Sequence, residues 1–531
     1  MNFLSKDAPL KTTLEHMRDT LSGISLNFSQ PKHPLKHCHS INLAYTLAPS
    51  LIYSNGKGIT KDAAIASAMG EFIERLQSNL FFSDFYIPDM KHFSDEAVLD
   101  FSELDEKIFE FYDKNSELSF EDFIDFNSDY EDKIVTLPFK KIGTNELLYL
   151  PINILQNLYM SNGMASGNTP CEAKVQALCE IFERYVKFEV IKNGYSLPKL
   201  DITSFAKVSE DIATLESLGY KLSAYDATLG GVFPVVAISL INPSNATLFV
   251  SFGSHPNLEV ALERTLSELM QGRDIQNLDS FATPSFDMEF VSDSINLESH
   301  FIDSNGVVGF GFLKSREDFE FCEWSFAKKD TKTQYEQLLI LLNKLDKSAY
   351  IREYEYLGFY TAHIVVPTMS EIYTLDDLVL NNKNRGKFLR DMVLNFASYE
   401  PHDLLYELDL LDDNLDIAKY IGVVFSSDIR AYHLKAQANL ALKNYDEVLY
   451  LLSSSKTMLD CAVCELIRAK QMGVNIKEYE FALELVFTTD IISKATKVLE
   501  ANELLFDTTF HKDYINILAL YESLELGKHA I

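Results

Sequence analysis

Glutamates spaced three apart recur on two stretches about a hundred residues from one another. Ser54–Arg75 reads SNGKGITKDAAIASAMGEFIER and holds Glu71 and Glu74; Ser161–Arg184 reads SNGMASGNTPCEAKVQALCEIFER and holds Glu180 and Glu183. Both open Ser-Asn-Gly, pass a threonine and close Glu-x-x-Glu-Arg, with eleven residues from threonine to first glutamate. A third segment, SFGSHPNLEVALERTLSELMQGR, holds Glu268. Each is expected to be a Gly-containing turn feeding a helix. Ala64, Ser67, Glu71 and Glu74 then fall on one helical stripe. Ala173, Gln176, Glu180 and Glu183 repeat its steps, as do Ala261, Arg264, Glu268 and Gln271.

Such a stripe would be apolar if it simply met a core. Here the small residue permits close approach and polar groups follow it, while Phe72, Ile73, Leu76, Ile181 and Phe182 supply a separate apolar face. Two carboxylates about 5 Å apart repel by roughly 3 kcal/mol at an effective dielectric of about 20. If the five glutamates converge, proton uptake, arginine or a divalent cation must relieve them. Carboxylate oxygens are hard ligands suited to Mg2+ held partly through phosphates. Arg75, Arg184, Arg264 and Arg273, on or beside the stripes, are candidates to clamp phosphate oxygens. The plain alternative is exposed acidic pairs on an acidic protein; three registered copies speak against it. Neither SNGKGIT nor GVVGFGF matches a Walker or dinucleotide-binding glycine motif.

The elements that must position these residues are read from the 531-residue chain as a whole. A net charge of −31 argues against nucleic acid or an anionic membrane as partner. No run approaches a membrane span, the start MNFLSK lacks an apolar leader, and six scattered cysteines form no disulfide framework. A reducing cytoplasm is expected. His33, His37, Cys38 and His39 crowd together, but a hairpin is the better reading there than a metal site. Cys461 and Cys464 sit in an apolar helical pattern and are read as core. Strand and helix signals interleave over about 40–370, an α+β pattern, with an acidic, aromatic insertion at about 84–133 expected to form short surface helices. Past about 395 strand signals fade. RAYHLKAQANLALKNYDEVLYLLSSS there resembles one tetratricopeptide hairpin. The expected organisation is 1–395 followed by a helical 396–531.

Through these three segments the chain resembles the YcaO family, and looks like its three ATP-site segments in family order. The likeness runs over about residues 1–395, through LPFKKIGTNELLYLPINILQNLYMSNG, AYDATLGGVFPV and NLESHFIDSNGV. Membership implies ATP and Mg2+ between glutamate-lined helices. By motif it implies Glu71, Glu74, Glu180, Glu183 and Glu268 as metal- and phosphate-facing carboxylates, with Ser67, Asn168, Glu172, Arg184 and Arg264 on nucleotide. SKDAPLKTT resembles the N-terminal nucleotide segment and adds Lys6 and Thr13. The implied chemistry is ATP-driven phosphorylation of a backbone amide, or ATP hydrolysis; no catalytic residue is assigned. Likeness is strongest to bacterial members proposed as accessory factors for a radical methylthiotransferase acting on a ribosomal protein. A nucleotide-binding adaptor and a peptide cyclodehydratase or thioamidation enzyme are the alternatives. The ending LGKHAI, in place of a proline-rich tail, weighs against the cyclodehydratase. A homodimer is expected through the tail.

Overall fold

The computed structural model describes residues 5–528 apart from 33, 116, 275–277, 279, 303–304, 327–329, 382–383 and 501. His33 and the terminal His529-Ala-Ile thus lie outside the described residues. In chain order the strands are β1 (Leu26–Ser29), β2 (His39–Tyr45), β3 (Tyr53–Gly58), β4 (Ala97–Leu99), β5 (Ile134–Lys141), β6 (Leu147–Pro151), β7 (Met164–Gly167), β8 (Lys221–Asp226), β9 (Val235–Asn242), β10 (Thr247–Ser254), β11 (Tyr350–Tyr354) and β12 (Tyr360–Val365). They form three antiparallel sheets, ordered β1-β2-β3, β10-β9-β8 and β4-β5-β11-β12-β7, with β6 also paired to β5. The helices that matter most are α1 (Leu10–Thr20), α2 (Lys61–Gln77), α3 (Pro170–Asn193) and α4 (Leu258–Met270). The fold is α+β.

Three strand–cap–helix units carry the repeated segments: β3–α2, β7–α3 and β10–α4. Each helix starts on a side-chain cap, Thr60 accepting from Ala63, Thr169 from Glu172 and Asn257 from Glu259. Asn257 stands eleven residues before Glu268, as Thr60 does before Glu71, so the caps put all three units in one register. Each helix then bridges two strands: α2 packs on β3 and β7, α3 on β7 and β10, α4 on β10 and β3. The units therefore close into a ring, which brings together three stripes far apart in sequence.

Two sequence expectations change in this light. Ser54–Gly56 and Ser251–Gly253 are extended strand rather than turns. Their glycines answer to close packing. A Cβ on Gly56 would lie 2.1 Å from the Ala64 carbonyl oxygen, and one on Gly253 would lie 2.8 Å from that of Ala261. Ala64, Ala173 and Ala261, all fully buried, are where strand and helix touch, so what approaches the small residue is strand backbone. The Ser-Asn-Gly of the second copy is also out of register by two residues, since Ser54 precedes its cap by six positions and Ser161 by eight. The true counterpart of Ser54 is Ser251: their hydroxyls donate to the Ala68 and Thr265 carbonyls, each at 2.8 Å.

The apolar face is core as expected, with Phe72, Ile73, Leu76, Ile181 and Phe182 fully buried. The acidic insertion is less of a surface feature than its composition suggests. Ile108, Phe123, Ile124 and Phe126 are buried, and Phe101 meets Phe109, Phe120 and Phe123. After β12 the described residues form helices joined by turns and loops, with no strand beyond isolated bridges such as Phe425 to Phe510. The hairpin of Ala431–Ala441 and Tyr445–Leu451 turns at Lys443, and Cys464 is buried within Met458–Gln471. Leu434, Val463 and Ile517 of this tail share one apolar cluster with Ile41 and Phe72. No helix among the described residues is long and apolar enough to cross a membrane.

Candidate nucleotide and metal site

At the centre of the ring lies a cavity of about 440 Å³. Lys6, Thr13, Ser67, Asn168, Glu172, Arg184 and Arg264 line it, as do Glu71, Glu74, Glu180, Glu183 and Glu268. All twelve residues that the family resemblance implied therefore meet on one surface, drawn from α1, α2, α3, α4, the β7–α3 turn and the segment ahead of α1, and Arg75 lines it too. Arg273 does not belong to that lining. Its guanidinium stacks over Phe249 and Phe281 and donates to the Leu269 carbonyl at 3.0 Å, closing the C-terminal end of α4.

The lining divides into two regions of different chemistry. In the first, Glu172 accepts from Lys6 Nζ at 3.0 Å, from the Asp7 N–H at 2.9 Å and from Asn168 Nδ2 at 3.0 Å. Thr13 Oγ1 donates to Asn168 Oδ1 at 2.8 Å, and Asp7 accepts from the Thr169 and Thr331 hydroxyls. Burial alone would raise the Glu172 carboxyl, but Lys6 and these donors hold it below the usual range. This network ties the N-terminal segment over the start of α3.

The second region carries the glutamates. Arg75 pairs with Glu71 at 2.5 Å and Arg184 with Glu180 at 2.6 Å, each one helical turn apart. Glu183 accepts from the Ser254 N–H at 3.2 Å, and Lys57 pairs with Glu268 across the ring. Burial, with Glu180 and Glu71 facing it, holds the Glu74 carboxyl well above the ordinary range. Burial also raises Glu180 to about 7, with Glu183 and Glu71 adding to the rise and Arg184 and Lys57 opposing it. Arginine, lysine and proton uptake thus share the relief that crowding demands.

The donor set fits a phosphate-bound divalent ion better than a bare one. Among the described residues, no three His, Cys, Asp or Glu side chains stand close enough to cage a metal by themselves. The chemistry of Mg2+, which keeps few protein ligands and several from phosphate or water, matches such a site. Arg184 Nη1 and Arg75 Nε are buried with no hydrogen-bond partner among the described residues, so two donors beside the glutamates remain for an anion.

Sequence reasoning did not single out Lys57, which sits in the Gly-Lys-Gly of β3 and lines the same cavity. That tripeptide was its only signal, and it matches no phosphate-loop spacing. Lys187, one turn beyond Glu183 on α3, was also missed. It lines the cavity, donates to the His300 carbonyl at 2.6 Å and is lowered by burial to about 8.

Residues 55–370 match the family described as YcaO cyclodehydratase, ATP- and Mg2+-binding. The chain belongs to the YcaO family. It is 35% identical over 576 aligned positions to the ribosomal protein S12 methylthiotransferase accessory factor YcaO of Escherichia coli K12, covering 99% of this chain and 98% of that protein. An uncharacterized protein of Haemophilus influenzae is 38% identical over 479 positions, 84% of this chain and 81% of its own. Among solved structures, YcaO from Methanopyrus kandleri bound with AMPPCP and Mg2+ is 16% identical at a TM-score of 0.44, covering 68% of this chain and 91% of that one. A heterocyclase in complex with substrate and cofactor is 17% identical at a TM-score of 0.48, covering 69% of this chain and 53% of its own.

Proposed function

We propose that this YcaO protein binds ATP with Mg2+ in the ring cavity and uses it to activate a backbone amide, or hydrolyses it, as a cytoplasmic accessory factor in ribosomal-protein methylthiolation. The observation that carries this is the convergence of twelve residues from separate segments on one cavity, with unpartnered guanidinium donors beside the glutamates. In this reading Lys6, Thr13, Asn168 and Glu172 hold the nucleoside end, and Ser67 and Arg264 orient the chain of phosphates. Arg184 bears on the charge that develops at the transferred group. Glu71, Glu74, Glu180, Glu183 and Glu268 would hold the metal, which when bound screens phosphate charge and orients the γ-phosphoryl group.

In the reaction proposed, the amide oxygen attacks the γ-phosphorus and the bond to the bridging oxygen breaks, releasing ADP. A nucleophile adds to the amide carbon, and the original oxygen departs with phosphate. The protein supplies closure by the N-terminal segment, which excludes water from the nucleoside end, and guanidinium charge at the other. We divide the chain at about residue 395, with the helical remainder as the part that meets a radical methylthiotransferase or a second copy of the chain.

Purified protein with Mg2+ and ATP tests the reading: phosphate release is expected, and Glu183→Gln and Arg184→Ala should each abolish it. Unchanged turnover in both refutes it. A nucleotide-binding adaptor is the second reading, favoured by the helix Glu480–Phe487, on which Phe481, Leu485 and Val486 are exposed. It predicts tight ATP binding with negligible turnover, and partner binding lost on removing residues 400–531. A peptide cyclodehydratase or thioamidation enzyme would instead show loss of water or oxygen-to-sulfur exchange in a peptide.

A further inference from the structure

Register between the three units gives each ring position two counterparts. Glu71, Glu180 and Glu268 correspond, eleven residues after their caps. Three residues before the caps stand Lys57, Ser166 and Ser254. One strand position of three therefore carries a cation where the others carry hydroxyls.

The direction of that cation follows from packing. Ser54, Gly56 and Gly58 lie against α2: Ser54 bonds to Ala68, and a Cβ on Gly58 would come within 2.8 Å of Ala63. Alternation along β3 sends Asn55 and Lys57 to the opposite face. There Gln271, just past the end of α4, donates to the Asn55 carbonyl at 2.8 Å and Glu268 meets Lys57 Nζ. Lys57 lines the same cavity as Glu71 of α2 and Glu180 and Glu183 of α3, so carboxylates from all three helices border the space its ammonium enters.

We infer that Lys57 is a competing cation built into the site: its ammonium occupies the side-chain oxygens that a divalent ion would use, stabilises the metal-free ring, and restrains metal binding until nucleotide phosphates add their own oxygens. This rests on reading the cavity as a metal–nucleotide site. A single ammonium suits the role because it is a compact charge on a flexible stem, able to leave Glu268 without disturbing the backbone. Lys57 is a positioning residue here. A purely structural role predicts that removing it weakens every ligand, whereas competition predicts that removing it strengthens one of them.

The test uses full-length protein, Mn2+ alone as the metal probe, and Mg2+·ATP as the control for the underlying reading. Lys57→Met should bind Mn2+ more tightly than wild type, on the order of tenfold for one removed like charge at this range. Its thermal midpoint in EDTA should fall below wild type and return on adding Mn2+. Lys57→Arg should keep the wild-type Mn2+ affinity. If Lys57→Met does not fold in EDTA, the double variant Lys57→Met/Glu268→Gln should, because the stranded carboxylate is gone; failure of that rescue overturns the inference. Unchanged or weaker Mn2+ binding by Lys57→Met, with wild type still binding Mg2+·ATP, overturns the role of Lys57 and leaves the nucleotide reading intact. Wild type failing to bind Mg2+·ATP overturns both.

Discussion

Glu180 offers a quantitative check on how the ring tolerates its charge. The folded carboxyl titrates at about 7 against 4.5 for the free side chain, a rise driven by burial and by Glu183 and Glu71. A folded pKa above the unfolded one means the folded protein binds the proton more tightly. The associated stability is fully present below about pH 4.5 and is lost as pH rises through about 7. At 1.36 kcal/mol for each pKa unit, the loss is about 3 kcal/mol. His255 and His363, held neutral by burial, act in the opposite sense below about pH 6.5, so the raw curve mixes signs. The quantity to measure is the difference between wild type and Glu180→Gln. Denaturant unfolding of both, from about pH 5 to about pH 8, should show wild type losing roughly 2–3 kcal/mol relative to the variant across that interval. Saturating Mg2+·ATP, which favours the ionised carboxylate, should flatten the difference. Parallel curves for the two proteins would refute the claim that Glu180 shares a crowded, desolvated site.

Other expectations follow from the same geometry. Arg184→Ala removes a guanidinium with a free buried donor and should weaken ATP binding by roughly 10- to 100-fold, the range for a hydrogen bond to a charged group, as read by calorimetry. Glu172→Ala should raise the Michaelis constant for ATP with little effect on turnover at saturation, because its contacts lie away from the glutamate region. Gly253→Ala forces a methyl group against Ala261 and Thr265 and should cost about 1–3 kcal/mol in unfolding assays, whereas Gly143→Ala, with open space around it but a positive φ of 88°, tests backbone strain alone. Affinity for Mg2+·ATP should rise with pH up to about 7, as Glu180 gives up its proton, and level off above it.

The candidate site was legible because its residues lie on helices whose caps set a fixed count to the first glutamate. Periodicity of that kind survives any tertiary arrangement, so Glu71, Glu180 and Glu268 could be aligned before any fold was known. What packs against the stripe was not legible. The alanines, read only as permitting close approach, are pressed against strand glycines, a contact set by strand positions that vary in sequence. The shared Ser-Asn-Gly misled for the same reason: in the first unit it is strand and in the second it is a turn two residues upstream. Arg273 lay beside the expected stripe but follows the end of α4, where an aromatic pair and open carbonyls claim it. Lys57 escaped notice because its meaning depends on which face of β3 points inward, and the close packing of Gly56 on α2 decides that.

The central claim is that three helices gather their glutamates around a metal-bound nucleotide, and calorimetric titration of the purified protein with Mg2+ and a non-hydrolysable ATP analogue tests it most directly. Saturable binding that requires Mg2+, lost in a Glu183→Gln protein that still folds and weakened roughly 10- to 100-fold in Arg184→Ala, is the predicted result. No binding by wild type, or equal binding by all three proteins, would contradict it.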